Sequence, residues 1–200
     1  MASDIEICNL ALSNLGISKE IASSTEDSAE AETCNRFFVD VRDELLRDFP
    51  WTFATKFVAL GLVEEDPNDE WGFSYRYPSD CIKVRRILSG IRNDTPATKT
   101  KMKIIADDDG LLILTDYEDA EIEYTFRAED PMRYPSDFKK AFALKLAIEI
   151  APRLIAGDPY SIGPKLTQKF LYEIQKAQAS SISEEVLDEF PDAEMITARN

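Results

Sequence analysis

Arg42–Ala54, RDELLRDFPWTFA, is the stretch on which the fold of this chain turns. A charged helix end runs into Leu45 and Leu46 and then meets Phe49, Pro50, Trp51 and Phe53. Pro50 has no amide N–H to donate and pushes Phe49 out of the α region, which predicts a helix that stops at Arg47 or Asp48. Phe and Trp side chains each bury on the order of 150–250 Å², so the cluster beyond that stop needs other helices to cover it. No catalytic group sits in the stretch. It reads as an architectural corner between a helical layer and a β-rich layer, with Trp51 as a packing residue.

Upstream of the corner the signals are helical. Ser3 and Glu6 have capping-box spacing, Ile5, Cys8, Leu12 and Leu15 follow at 3–4–3 intervals, and Gly16 is placed to end a helix over about Asp4–Leu15. Ser23, Ser24 and Thr25 ahead of Glu26 and Asp27 predict the start of a second helix. Its apolar stripe is Ala31, Cys34, Phe38, Val41 and Leu45.

Downstream the period changes. EEDPNDE, residues 64–70, reads as an acidic, Pro-broken linker. Beyond it Phe73, Tyr75 and Tyr77 alternate with polar residues, as do the runs Ile82–Leu88, Lys103–Ala106, Leu111–Thr115 and Ala120–Ala128. In the last of these Ile122, Tyr124 and Phe126 share one face, opposite Glu121, Glu123 and Thr125. Asp109–Gly110 is a hairpin signal. YPSD occurs at Tyr77–Asp80 and again at Tyr134–Asp137, and the two copies read as the start and finish of the β-rich segment. Ser136 is the expected N-cap of a helix to about Ile155, apolar nearly all round and therefore central, with Pro152 bending or ending its last turn. Gly157, Asp158 and Pro159 make a turn, and Pro164 opens a final helix carrying Leu166, Phe170, Ile174 and Ala177.

The fold class expected is α+β: an antiparallel bundle of about four helices, an inserted antiparallel β-sheet or small barrel, and an extended C-terminal tail. The divisions fall at 1–60 (first helical part), 61–131 (β-rich insertion), 132–181 (second helical part) and 182–200 (tail).

Composition narrows the function. There are 38 acids against 23 bases and no histidine, a net charge of −15. Affinity for a phosphate backbone comes from Lys and Arg, so a nucleic-acid grip is not expected, although nucleic acid could pass without sticking. Zero histidine removes the commonest general base and metal ligand together. Cys8, Cys34 and Cys81 are scattered and odd in number, which suits buried thiols and neither a disulfide framework nor a zinc site. Asp107–Gly110, DDDG, lacks the alternation and the closing Glu of a calcium loop and reads as a hairpin tip. No phosphate loop or nucleophile motif is present, and no apolar run approaches membrane length. No catalytic residue, cofactor or metal is expected, and the opening residues lack a signal peptide, which suggests a protein made in the cytoplasm.

Two charge features remain. Residues 83–103 carry Lys83, Arg85, Arg86, Arg92, Lys99, Lys101 and Lys103 against the single acid Asp94. Such segregation suits either a solvated loop or a basic edge that meets the acidic face of another copy, head to tail. Residues 182–200 carry six acids and one base, with the anchors Val186, Leu187, Phe190, Met195 and Ile196. That pattern suits a floppy end or a segment that orders on a partner.

ICNLALSNLGIS, EDSAEAETCNRFF, VRDELLRDFPWTFA, YRYPSDC and YPSDFKKAFALKLA, in that order along residues 5–155, resemble the tail tubular protein A family, head–tail adaptors of short-tailed bacteriophages. Adaptors of long-tailed phages share similar helical cores. The resemblance implies a structural virion protein at the head–tail junction. It would form a ring, typically dodecameric, beneath the portal protein and above the next tail component (nozzle or tube), with DNA passing through its lumen. On that view 182–200 is the portal-contacting arm and the basic 83–103 segment meets a neighbouring copy or tail component. Two other classes stay open: a carboxylate-based cell-wall glycan hydrolase, which needs two acids about 5–10 Å apart in a cleft, and a monomeric interaction module.

Overall fold

The computed structural model describes residues 4–91, 98–155 and 159–184. Its elements run α1 (Asp4–Asn14), α2 (Ala29–Asp48), a 3₁₀ turn (Thr52–Ala54), β1 (Thr55–Ala59), β2 (Leu62–Asn68), β3 (Trp71–Arg76), β4 (Cys81–Ile87), β5 (Lys103–Asp107), β6 (Gly110–Thr115), β7 (Glu121–Phe126), α3 (Ser136–Leu154) and α4 (Pro159–Ser183). Helix and sheet are thus mixed, with all seven described strands between α2 and α3.

The helices share one apolar core. α3 is its centre, packing against α1, α2 and α4, and Phe138, Phe142, Leu146 and Ile150 on it are fully buried. α1 ends as Gly16 predicts. The glycine takes φ +77°, Ile17 N–H donates to Leu12 O at 3.0 Å and Gly16 N–H donates to Ser13 O at 3.0 Å. These two bonds close the helix's last carbonyls. The loop that follows is pinned by Asn9, whose side chain both accepts from Ile21 N–H at 2.8 Å and donates to Ile21 O at 3.0 Å.

Three helix boundaries differ from expectation. α2 begins after Ser28, whose Oγ accepts from Ala31 N–H, and not at Ser23–Thr25. Those hydroxyls and Glu26 close a local turn instead, with Glu26 N–H donating to Ser23 O and Ala22 N–H donating to the Glu26 carboxylate. Short polar side chains that bond nearby backbone compete with the helix in this way. At α3 the cap position is Pro135, with Ser136 already helical. α4 begins at Pro159 and contains Pro164; the turn expected at 157–159 lies partly outside the described residues.

Two antiparallel sheets form, of order β1-β7-β4 and β2-β3-β6-β5. Tyr75 and Ile113 from the larger sheet and Val84, Ile87, Ile122 and Tyr124 from the smaller make a second apolar cluster between them. The expected linker 64–70 is largely a strand: β2 pairs with β3 with two register shifts, Asp66 sits at φ +49°, and Pro67 lies on this edge strand. Proline and bulges are tolerated at an edge because the outward amide is not needed. β1, inside the segment read as helical, belongs to the smaller sheet. The first YPSD is therefore no start of the β segment but the crossover from β3 in one sheet to β4 in the other. The hairpin between β5 and β6 turns on Asp108–Asp109, with Asp107 opposite Gly110.

Candidate functional site

The corner at the end of α2 is built from side chains that reach its last carbonyls. Trp51 is 1% exposed, packs edge-on against Phe138 and Phe49 at 4.9 and 4.8 Å, and donates its Nε1–H to Leu45 O at 2.8 Å. Arg85, from β4, donates to Leu46 O at 3.1 Å and Phe49 O at 2.7 Å, while its Nε–H donates to the buried Thr125 hydroxyl at 2.7 Å. Arg47 returns the tie by donating to Ile82 O at 2.9 Å. A cation here also meets the negative end of the helix dipole.

Arg85 therefore leaves the basic edge on which the sequence places it. β4 does not alternate simply: its pairing with β7 shifts register between Cys81 and Lys83 and again between Val84 and Arg86, which leaves Arg85 out of the ladder and facing inward. Arg86 stays out, paired with Glu123 at 2.6 Å across the strands. Lys83 is exposed on β4, while Lys99, Lys101 and Lys103 are exposed along the approach to β5 and on its first residue. None of these four lysines forms an ion pair with a described residue. Arg92 lies outside the described residues, as do Val186, Leu187, Phe190, Met195 and Ile196. The basic set is thus divided between strands of two different sheets.

The acidic counterpart is the part that sequence reading missed. Glu64, Glu65 and Asp66 on β2 and Asp69 and Glu70 in the turn after it are all exposed. Acids are depleted in strands, so the run looks like a linker. The available signals were Leu62–Val63 ahead of it and Asn68, whose side chain accepts from Glu70 N–H at 2.9 Å to form the turn.

A cleft of about 660 Å³ lies at one end of the sheets, lined mainly by Val58–Gly61, Tyr77–Ser79 and Leu111, with Arg76 and Asp109 at its polar side. Arg76 is held by Asp107 at 2.9 Å, and the Asp107 carboxyl is kept below its usual range by that guanidinium. A shallower depression is lined by Asp66, Asp69, Glu70 and Asp116. Among the described residues no three His, Cys, Asp or Glu side chains are grouped to hold a metal ion. No described helix is long and apolar enough to cross a membrane.

Cys8 and Cys34 are both buried and Cys81 is half-buried. A hydrogen bond with Cys34, reinforced by burial, pushes the Cys8 thiol far above its usual range. The chain matches no family model and no curated protein.

Proposed function

We propose that this protein is a structural head–tail adaptor of a tailed bacteriophage, assembling as a ring between the portal protein and the next tail component, with DNA passing through the lumen. The observation that carries the proposal is where the family-like segments fall. ICNLALSNLG is α1 with its glycine cap, VRDELLRDFPWTFA is the end of α2 with the Trp51 corner, and YPSDFKKAFALKLA is the start and body of α3. Four of the five segments that resemble the family build one shared core, while the fifth, YRYPSDC, packs in the cluster between the sheets. Reading the helices as one bundle from both ends of the chain, with the sheets as its insertion, gives a subunit suited to stacking side by side.

A net charge of −15 suits a wall past which DNA slides, because acidic side chains repel the phosphate backbone. In this reading the part of 182–200 that follows α4, whose last residue is Ser183, forms the portal-contacting arm, and the lysine-bearing edge faces a neighbour. Electron microscopy of the full chain with and without portal tests it. Closed rings, or density seated only between portal and tail, are expected. A protein that neither forms rings nor binds portal, in particles whose tails attach without it, would overturn the proposal.

A further inference from the structure

The four-stranded sheet carries opposite charge on its two open edges. β2 and β5 are those edges, one bearing Glu64, Glu65 and Asp66, the other reached through Lys99 and Lys101 and beginning at Lys103. The strands between them set the edges about 14 Å apart, three strand spacings. That exceeds the Debye length of about 8 Å at physiological ionic strength, so neither edge neutralises the other within one chain. None of these acids and lysines has an ion-pair partner among the described residues. The acid at the far end of β5, Asp107, is already paired with Arg76.

The register makes the match specific. Leu62 lies opposite Tyr75, Tyr75 opposite Ile113 and Ile113 opposite Ile104, so Leu62 and Ile104 end one rung that crosses the whole sheet. Glu64 lies opposite Ser74, Ser74 opposite Leu114 and Leu114 opposite Lys103, so Glu64 and Lys103 end the next. Leu62 is 50% exposed and Ile104 44%, so each edge offers an aliphatic residue beside a charge, at matching heights. Successive antiparallel pairings also leave β2 and β5 running in opposite directions.

We infer that the β5 edge of one copy docks on the β2 edge of the next, Ile104 against Leu62 and Lys103 against Glu64. The contact is heterologous, so each copy keeps one edge open for another neighbour, and rotation between copies closes a ring or winds a filament. It is short. β2 shifts register between Leu62 and Glu64, so Val63 bulges between the two pairs, and again between Glu65 and Asn68; the second shift, with Pro67, stops regular strand pairing toward the acidic turn, which leaves Glu65, Asp69 and Glu70 to attract Lys99 and Lys101 at longer range. This deepens the adaptor proposal, on which it rests for the notion of a ring, by naming the two surfaces that meet.

The test is disulfide trapping between full-length chains at low ionic strength, with the native chain under the same mild oxidant as baseline. Paired edge strands bring opposing Cα atoms within disulfide range. A Leu62→Cys chain mixed with an Ile104→Cys chain should give a cross-linked heterodimer, and one chain carrying both substitutions should give a ladder of oligomers. Adding Glu64→Lys to the first chain should abolish the heterodimer, and Lys103→Glu in its partner should restore it. Cross-linking of Leu62→Cys with itself, indicating a two-fold contact, or no product beyond baseline would overturn the inference. Rings that form by microscopy without this cross-link would leave the adaptor proposal standing and remove the edge contact. Cross-linked ladders that never engage portal would do the reverse.

Discussion

The Arg85 guanidinium donates to the Phe49 carbonyl oxygen across 2.7 Å, so a residue of β4 closes the C-terminal end of α2. With Thr125 on its Nε–H and Leu46 O on the same nitrogen as Phe49, it ties the helical core to the smaller sheet. Bonds of this charge-assisted kind contribute about 1.5–3 kcal/mol each. Arg85→Met should therefore cost about 2–4 kcal/mol, and Arg85→Lys, which keeps charge but loses the fork, an intermediate amount. Arg86→Met, which breaks only an exposed pair with Glu123, should cost under about 1 kcal/mol. Urea denaturation of the three variants decides the matter; equal losses at Arg85 and Arg86 would show that the inward ties contribute nothing.

Trp51 closes the same helix end from the other side. Trp51→Phe keeps most of the ring packing but leaves the buried Leu45 carbonyl without its donor, a loss of about 1–3 kcal/mol. Trp51→Ala removes the ring contacts with Phe49 and Phe138 as well and should cost about 3–5 kcal/mol. In a Trp71→Phe background Trp51 is the sole indole, and its emission should stay blue-shifted and resistant to quenchers until the chain unfolds. A red-shifted, readily quenched native spectrum would contradict the buried corner.

How much of this was legible beforehand follows from the physics of each element. The stop of α2 and the burial of Trp51 could be read because proline geometry and aromatic burial are local and strong. The central place of α3 could be read because its apolar residues leave only the narrow seam of Lys145, Glu149 and Arg153. β2 could not, because Glu64–Glu70 has no alternation and a proline, and only the pairing with β3 makes it a strand. The sequence places Arg85 on the outer edge, since a run of bases carries no signal of which ones turn inward. That choice is made by the bulge between Val84 and Arg86 and by the carbonyls waiting at the end of α2. The matching heights of Glu64 and Lys103 are a property of register across four strands, which no single segment encodes.

Asp80 joins the crossover to two strands of the smaller sheet, accepting from Lys56 Nζ at 2.9 Å and from Tyr124 O–H at 3.1 Å. Burial alone would raise its carboxyl, but those two donors outweigh burial and hold it below its ordinary 3.8. A depressed carboxylate stabilises the fold above its unfolded pKa, and that stability is lost as pH falls through the folded value. Burial and the bond to Asp80 push Tyr124 up to about 12. Its contribution is therefore full below its ordinary 10.0 and is lost as pH rises toward 12. Asp80→Asn should flatten the acid limb of the stability profile, and Tyr124→Phe the alkaline limb. Near neutral pH Asp80→Asn should cost under about 1 kcal/mol, since the ion pair is partly exposed. Denaturation midpoints measured from acid to alkaline pH check both; an unchanged acid limb in Asp80→Asn would mean that other carboxylates set it.

The lock between α4 and the corner fixes where the chain can be cut. Ser181 is buried and its Oγ accepts from Thr52 N–H at 3.2 Å, while Thr52 Oγ1–H donates to the Glu184 carboxylate. The helix runs through Ser183, so a boundary drawn at 181/182 would cut inside a helix that is still bonded to the turn after Trp51. A chain ending at Glu184 should keep the denaturation midpoint of the full-length protein. One ending at Ala179 should lose about 1–2 kcal/mol, because Thr52 N–H and Oγ1–H lose their acceptors. If 185–200 is the portal-contacting arm, the longer truncate should fold and self-associate normally yet fail to bind portal. Binding unchanged from full length would return that role to another surface, and a lowered midpoint would show that residues beyond Glu184 help to hold the fold itself.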